Sequence, residues 1–438
     1  MTGPRPTALP SPERRELILR AAVREGLLHP EDAPLAAFLD LDSVEQTVAD
    51  LRGAFPPEVE VLHAFAAKAN PLVPVLARLR ELGMGCEVAS PGEFAQALAA
   101  GFDPERMVLD SPAKTRRELA AALDLGVAVN IDNWQELERV DALMRGRQTR
   151  SRIGVRVNPQ VGGGTIGAMS TATATSKFGI PLTDPGNAAR LVEAFRARPW
   201  LTWVHCHVGS QGCPLELMAA GVGAAVSFAE KVNGELGRRQ VVGIDIGGGL
   251  PVNFADDRTA PGFADYVDQL AQHAPALLGG DFRVITEFGR SVLAKAGFTA
   301  AHVEYTKQVG GRDIAVTHAG AQVATRTVFM PDSWPLRITA HHPSGAPKTG
   351  APVPQDVAGP CCFAGDLLAR ARPLPLLEPG DLVCLLDTGA YYATNHFAYN
   401  SLPEPAIHAA TLTPTGTVHF TPLRPAQTIP DLLPHTTG

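Results

Sequence analysis

The sequence predicts an α/β protein: a closed (β/α)8 barrel over residues 43–297, preceded by a helix and a strand in 1–42 and followed by an antiparallel β domain over 298–438. The first of three observations behind this is a repeating unit of short apolar run, polar or glycine punctuation, and a stretch with apolar residues every three to four positions. Strands alternating with crossover helices make a parallel sheet, and eight such units over about 250 residues close it into a barrel. The second is a change of texture after Gly297 to short β-rich runs separated by Gly, Pro and Asp. The third is length, since 438 residues exceed one ordinary core and leave room for a barrel and a smaller domain.

In chain order, Ser11-Pro12 followed by 13–25 reads as an N-capped amphipathic helix with proline at its first position, ending near Gly26 and serving as a lid or a packing helix. Residues 34–41 read as a strand and 42–53 as a helix with Val44, Val48 and Leu51 on one face. The eight apolar runs are 61–68, 85–90, 107–110, 127–132, 153–158, 201–209, 241–249 and 284–289. The helical stretches between them are 72–82, 92–100, 115–125, 134–144, 187–197, 215–236 and 263–278. The connection 160–176, with Gly162-Gly163-Gly164 and a Thr/Ala/Ser tract, breaks the rhythm and reads as a mobile loop at the barrel mouth. Beyond Gly297 the expected strands are 301–309, 313–318, 336–341, 381–387 and 406–412, the last paired through Thr413-Pro414-Thr415-Gly416 with 417–421. Residues 342–354 read as an exposed loop, and the tail from Pro425 as loosely held.

Composition excludes several classes of function. A net charge of −7, from 38 Lys+Arg against 45 Asp+Glu without long blocks of either sign, gives no footprint for nucleic acid or an anionic membrane. Residues 1–10 carry no apolar core for a secretory signal, and no run is long enough to span a bilayer, so the expected location is the cytoplasm. The cysteines Cys86, Cys206, Cys213, Cys361, Cys362 and Cys384 form no C-x-x-C pair and indicate neither a disulfide framework nor a zinc site. A small-molecule substrate is the remaining expectation.

The functional residues of such a barrel stand at the C-terminal ends of its strands. Those positions hold Lys68, Glu87, Ser90, Asp110, Asn158, His205, His207, Ser210, Gly247-Gly248-Gly249, Glu287 and Arg290. Lys68 is a surface lysine in a loop or, on an apolar shelf that lowers its pKa, an amine ready to attack a carbonyl. The triple glycine is a tight turn or a place where bare backbone N–H groups approach a phosphate. Glu287 and Arg290 pair with each other at the rim, or serve separately, the carboxylate on a pyridine nitrogen and the guanidinium on a phosphate or carboxylate. His207 is a core histidine or a flat ring at the mouth; as a metal pair with His205 it lacks a further clear ligand cluster. Lysine, phosphate cradle, flat ring and pyridine-partner carboxylate together describe a pyridoxal 5′-phosphate site.

The ordered series Ala66-Ala67-Lys68-Ala69-Asn70, Glu87-Val88-Ala89-Ser90-Pro91-Gly92-Glu93, Arg156-Val157-Asn158-Pro159, Ser176-Lys177-Phe178-Gly179-Ile180 and His205-Cys206-His207-Val208-Gly209-Ser210-Gln211 carries a resemblance. It continues through Asp245 to Leu250, Glu287 to Ser291, Gly359-Pro360-Cys361-Cys362 and Gly389-Ala390-Tyr391. The series resembles the fold type III ornithine/diaminopimelate/arginine decarboxylase family, with diaminopimelate decarboxylase-like spacing. The resemblance implies a TIM-like, alanine racemase-like barrel, pyridoxal 5′-phosphate as cofactor, and homodimers with composite active sites. It implies that Lys68 holds the cofactor aldehyde, His207 stacks on the ring and Glu287 meets its nitrogen. Ser210, Gly247, Gly248, Gly249, Arg290 and Tyr391 hold the phosphate or lie beside it, Arg290 and Tyr391 also facing the substrate. Cys362 reaches the partner's site and protonates the carbanion, itself or through a water, with Cys361 as the other candidate thiol.

An amino-acid decarboxylase is thus the leading reading, beside a racemase or epimerase using the same cofactor and a non-catalytic cofactor-binding protein. The substrate end departs from the family's pattern. Phe363 and His318 stand where the family commonly has acidic residues, Arg326 matches its distal-carboxylate arginine, and Met330 stands where a tyrosine is expected. A distal ammonium buried there without a carboxylate would cost several kcal/mol, so the expected substrate lacks a distal amine.

Overall fold

The computed structural model describes residues 10–435, so the segment 1–9 and the last three residues lie outside the described chain. Two compact units are formed: one from residues up to Thr47 with Asn253–Thr259 and Leu293 onward, the other from Val48–Val252 with Ala260–Val292.

The chain opens with helix α1 (Pro12–Arg24), whose N-cap Ser11 accepts the Arg14 N–H, and turns at Gly26 with φ +74°. Ile18, Leu19, Ala21 and Ala22 bury against Phe38, Phe298, Leu382 and Cys384, which makes α1 a packing helix rather than a lid. Strand β1 (Leu35–Asp40) follows, then the helix Leu41–Ala54. Asp40 accepts from the Arg14 guanidinium at 2.7 and 2.8 Å, a nearly buried ion pair that ties α1 to β1.

The barrel strands are β2 (Val61–Ala66), β3 (Gly85–Val88), β4 (Met107–Leu109), β5 (Ala128–Ile131) and β6 (Ile153–Asn158), then after a two-residue β7 (Ile180–Pro181), β8 (Leu201–His205), β9 (Gly243–Asp245) and β10 (Arg283–Thr286). The pairing order β5-β4-β3-β2-β10-β9-β8-β6 closes through β5–β6, all parallel, into the eight-stranded barrel that the repeated pattern predicts. Its interior is filled by Leu62, Ala64, Val108, Ala128, Trp203 and Ile285. The indole dictates a glycine on the neighbouring strand, since a Cβ at Gly243 would stand 2.4 Å from Trp203.

The sequence pattern differs from the structure in several places within this unit. Runs 201–209 and 241–249 end as strands at His205 and Asp245, because the residues beyond them turn into backbone-bonded loops. The stretch 263–278 is two helices, Phe263–His273 and Pro275–Leu278, broken where Pro275 has no N–H to give. The 160–176 connection is fastened at the barrel's C-terminal end: Asn158 Nδ2 donates to Thr173 O at 2.9 Å and Thr171 Oγ1 to His207 O at 2.6 Å.

The other unit is built on strands β11 (Gly297–Val309), β12 (Arg312–Thr317), β13 (Ile338–His341), β14 (Pro352–Ala358), β15 (Leu367–Pro375), β16 (Leu382–Leu386), β17 (Ala406–Leu412) and β18 (Val418–Arg424). Their order is β15-β14-β12-β11-β1-β17-β18, with β16 between β11 and β13. Most pairs are antiparallel, but β1–β17 and β12–β14 are parallel, so the sheet is mixed rather than purely antiparallel. Strands β14 and β15 and the helix Ala321–Phe329 are absent from the sequence pattern. Prolines 352 and 354 made the start of β14 read as loop; they lie before Gln355, where pairing with β12 begins, so the missing N–H groups interrupt no second ladder.

Candidate active site

Lys68 sits in a single 3₁₀ turn, Ala67–Ala69, directly after β2. Its Nζ is 2.8 Å from Glu87 Oε2 at the end of β3, with the lysine side chain 37% exposed and the carboxylate fully buried. Burial and then Asp110 push the Glu87 carboxyl up, against the pull of Lys68, to about 7.

Behind this pair runs a buried charge network. Arg156 Nη1 on β6 lies 2.9 Å from Asp110 Oδ2 after β4, and its guanidinium stacks 4.4 Å from the Phe178 ring. Burial would raise the Asp110 carboxyl, yet the Arg156 guanidinium above all holds it well below the usual range. Lys114 Nζ, wholly buried, reaches Glu136 at 3.1 Å and the Asn130 carbonyl at 2.8 Å. Asn130 Nδ2 donates in turn to Asp245 Oδ2 at 2.9 Å.

Glu287 follows β10 and is buried on every side. Burial first, then Asp245, Glu87 and Asp110, push its carboxyl well above the usual value. Neither of its oxygens has a hydrogen-bond partner among the described residues, so it does not pair with the nearly buried Arg290. Oε2 stands 3.7 Å from His205 Nε2 and 3.5 Å from His207 Nδ1. A third donor does therefore accompany the histidine pair, these donor atoms lying within 4.8 Å of one another. His207 Nδ1, however, already accepts the Gly248 N–H at 3.3 Å, and burial holds the imidazole neutral.

The triple glycine is required on two counts. Gly247 and Gly249 have φ of +64° and +98°, and a Cβ at Gly248 would stand 2.2 Å from the Glu287 carbonyl oxygen. A Cβ at Gly249 would stand 2.7 Å from Gly209 O, so the loops carrying His207–Ser210 and Gly247–Gly249 approach backbone to backbone.

These groups fit pyridoxal 5′-phosphate. Lys68 offers an amine beside a carboxylate, Glu287 offers buried acceptor oxygens without partners, and the glycine loop is bare of side chains.

In the other unit, Cys361 is buried and Cys362 exposed. Burial and the neighbouring Asp366 push the Cys361 thiol up to about 11. The Cys362 amide donates to Asn400 Oδ1 at 2.8 Å. Phe363 stacks on Phe329 with centroids 5.7 Å apart and meets the Phe397 and Tyr399 rings edge-on. Arg326 lies over Tyr391 at 4.9 Å and Trp334 at 5.1 Å, its Nη1 without a hydrogen-bond partner among the described residues. His318 Nε2 is 2.9 Å from Glu304 Oε2, so this position has a carboxylate beside it, supplied by β11. That charge could not be read from the turn, because Glu304 belongs to a neighbouring strand.

Sequence reasoning placed Asp110 and His205 at functional strand ends and Arg156 and Asp245 in the family series without naming what they do there, apart from weighing a metal pair for His205, and it passed over Lys114 and Asn130. All but Lys114 are polar residues within two positions of a barrel strand's C-terminal end, a signal the pattern does contain; Lys114 lies in a loop and carries none.

Comparison with known proteins gives the class. The model of the pyridoxal-dependent decarboxylase family's pyridoxal binding domain matches residues 41–294. The chain belongs to this family and is a pyridoxal 5′-phosphate-dependent carboxy-lyase. Among individual relatives it is similar to the diaminopimelate decarboxylase of Pseudomonas aeruginosa, 33% identical over 78% of this chain and 79% of that one. It is likewise similar to that of Deinococcus radiodurans, 35% identical over 78% and 82%. The crystal structure of Helicobacter pylori diaminopimelate decarboxylase complexed with L-lysine superposes with a TM-score of 0.80 at 26% identity, covering 94% of this chain and 99% of that one.

The Glu87 carboxyl predicts a pH dependence of the cofactor-free protein. With a folded value near 7 above the ordinary 4.5, its contribution favours the fold fully below about 4.5 and is lost as pH rises through about 7. The urea midpoint of the wild type should therefore fall relative to that of Glu87→Gln between pH 5 and pH 8. A difference between the two proteins that stays constant over this range contradicts the assignment.

Proposed function

We propose that this carboxy-lyase removes the α-carboxylate of an amino acid at the barrel mouth, with Lys68 as the residue that holds the cofactor's aldehyde. The observation that carries this reading is the amine of Lys68 set against buried Glu87 in the same strand-end layer as the unpartnered carboxylate of Glu287. Pyridoxal 5′-phosphate, when bound, supplies the electron sink for the pair left as CO2 departs.

The chain's own residues do the rest. Glu287 keeps a ring nitrogen protonated, and the flat imidazole of His207 offers a face for the ring. Ser210, Gly247, Gly248, Gly249, Arg290 and Tyr391 hold the phosphate or lie beside it. Glu87 accepts a hydrogen bond from the Lys68 amine and keeps it in place at 2.8 Å. Cys362 returns a proton to the carbon that lost CO2. Its exposure supports this over Cys361, whose buried thiol is pushed up to about 11 and holds its proton too firmly. In a two-fold homodimer, Cys362 of one copy serves the barrel of the other. The six free cysteines fit a reducing compartment, the cytoplasm.

The substrate's far end carries a carboxylate, an amide or thioester of one, or an apolar group, rather than a free amine. Arg326 supports this, because burial lowers its pKa and no carboxylate offsets the loss. So does Phe363, whose neighbours are rings. The carboxylate of Glu304 is taken up by His318.

Three outcomes test these assignments. Borohydride should fix the cofactor covalently to the wild type and not to Lys68→Ala; an adduct in that variant contradicts the role of Lys68. Mixing inactive Lys68→Ala with inactive Cys362→Ala should restore up to about a quarter of the sites by random exchange in two-fold dimers. Absence of recovery despite demonstrated exchange counts against the shared site. In a panel of amino acids assayed for CO2 and for chirality of residual substrate, diaminopimelate, ornithine and lysine should be poor, and Phe363→Glu should lower turnover of the true substrate. A wild-type kcat/KM above about 10⁴ M⁻¹s⁻¹ on any of those three would sink the substrate assignment.

A further inference from the structure

His205 is fully buried at the end of β8 and makes no hydrogen bond through either ring nitrogen. An unpaired buried imidazole is costly, and replacement by an apolar side chain would avoid the cost. What faces it is specific. Nδ1 is 3.6 Å from Asp110 Oδ1, and Nε2 is 3.7 Å from Glu287 Oε2. Both oxygens also lack partners, so a row of unsatisfied atoms runs from Asp110 through His205 to Glu287. Each gap exceeds a hydrogen bond by roughly half an ångström or more, a distance that small movements of the two carboxylates toward the ring close.

The direction of donation can be worked out. Arg156 keeps Asp110 ionised, so Asp110 Oδ1 requires a proton on His205 Nδ1. Glu287 Oε2 has two nitrogens near it. His207 Nδ1 accepts from the Gly248 N–H and has no proton to give, so only His205 Nε2 can donate to Oε2 once Glu287 is ionised. While Glu287 keeps its own proton, a neutral His205 satisfies both neighbours, donating to Asp110 and accepting from Glu287. When Glu287 is ionised, as a carboxylate facing a protonated ring nitrogen must be, both imidazole nitrogens have to carry protons.

We propose that His205 is the positioning residue for Glu287, the middle of an Asp110–His205–Glu287 relay that takes up a proton when Glu287 becomes a carboxylate. The balance is one O–H bond broken on Glu287, its proton passing to the cofactor's ring nitrogen, and one N–H bond formed on His205 Nε2 with a proton from solvent. Other charges around the ring are Asp245 on β9, Asp132 after β5 and Arg156 on β6. Burial outweighs the carboxylates and keeps His205 neutral before Glu287 ionises. The proposal rests on the family's cofactor and is independent of which amino acid is decarboxylated.

The test is calorimetric titration of the cofactor-free protein with pyridoxal 5′-phosphate, in buffers of different ionisation heat, to count protons taken up per site. The wild type should take up about one proton more than His205→Leu, and its affinity should fall about tenfold more steeply per pH unit above the relay's midpoint. His205→Gln offers Glu287 a donor that does not titrate, so it should retain the cofactor better than His205→Leu yet show the same reduced proton count. If the leucine variant does not fold, the glutamine variant alone decides the count. Equal proton numbers in wild type and variants, including a loss of affinity without a change in protons, overturn the relay and leave His205 a packing residue.

Discussion

The ion pair between Arg156 and Asp110 sets the charge state of the barrel's C-terminal end. Several carboxylates from distant parts of the sequence are buried there, and a cluster of that kind is tolerable only if some members are held ionised by a cation and others stay protonated. Arg156 fixes Asp110 as the ionised one. Glu87, with only the partly exposed Lys68 amine as its cation, is pushed up to about 7, and Glu287, with no cation bonded to it, is also pushed well above the usual range. Three acids of one chemical type thus differ widely in proton affinity through placement alone. That separation suits a site whose work is to accept and return protons around a ring.

The barrel was legible because its signal repeats. Each of the eight apolar runs overlaps a strand, and their polar end residues, from Glu87 to Glu287, lie in one layer because parallel strands in a closed barrel all end at the same face. The relations among those residues were not legible. That Gly248 already occupies His207 Nδ1, or that Asn130 reaches Asp245, depends on neighbours brought together from distant parts of the sequence.

The mixed-sheet unit was less legible for a local reason. Its strands β14 and β15 carry prolines at 352, 354, 373 and 375, residues that argue against a strand whenever both edges are assumed to be paired. The Pro352↔Pro375 and Pro354↔Pro373 pairs face each other across one ladder. Likewise, nothing in Thr317-His318-Ala319-Gly320 announces that β11 will set Glu304 beside the imidazole.

The position of β1 bears on how the chain is made. This strand is complete by Asp40, yet its sheet neighbours are β11, beginning at Gly297, and β17, beginning at Ala406. During synthesis it waits while the whole barrel emerges, and its parallel edge is covered only once Ala406–Leu412 have been made. The barrel, whose neighbouring strands are mostly consecutive, can form on the ribosome as it is translated. The mixed sheet cannot, so α1 and β1 travel as an unfinished apolar segment until β11 and β17 emerge. Arg14 and Asp40, close in sequence, give that segment a buried polar tie of its own before its distant partners arrive.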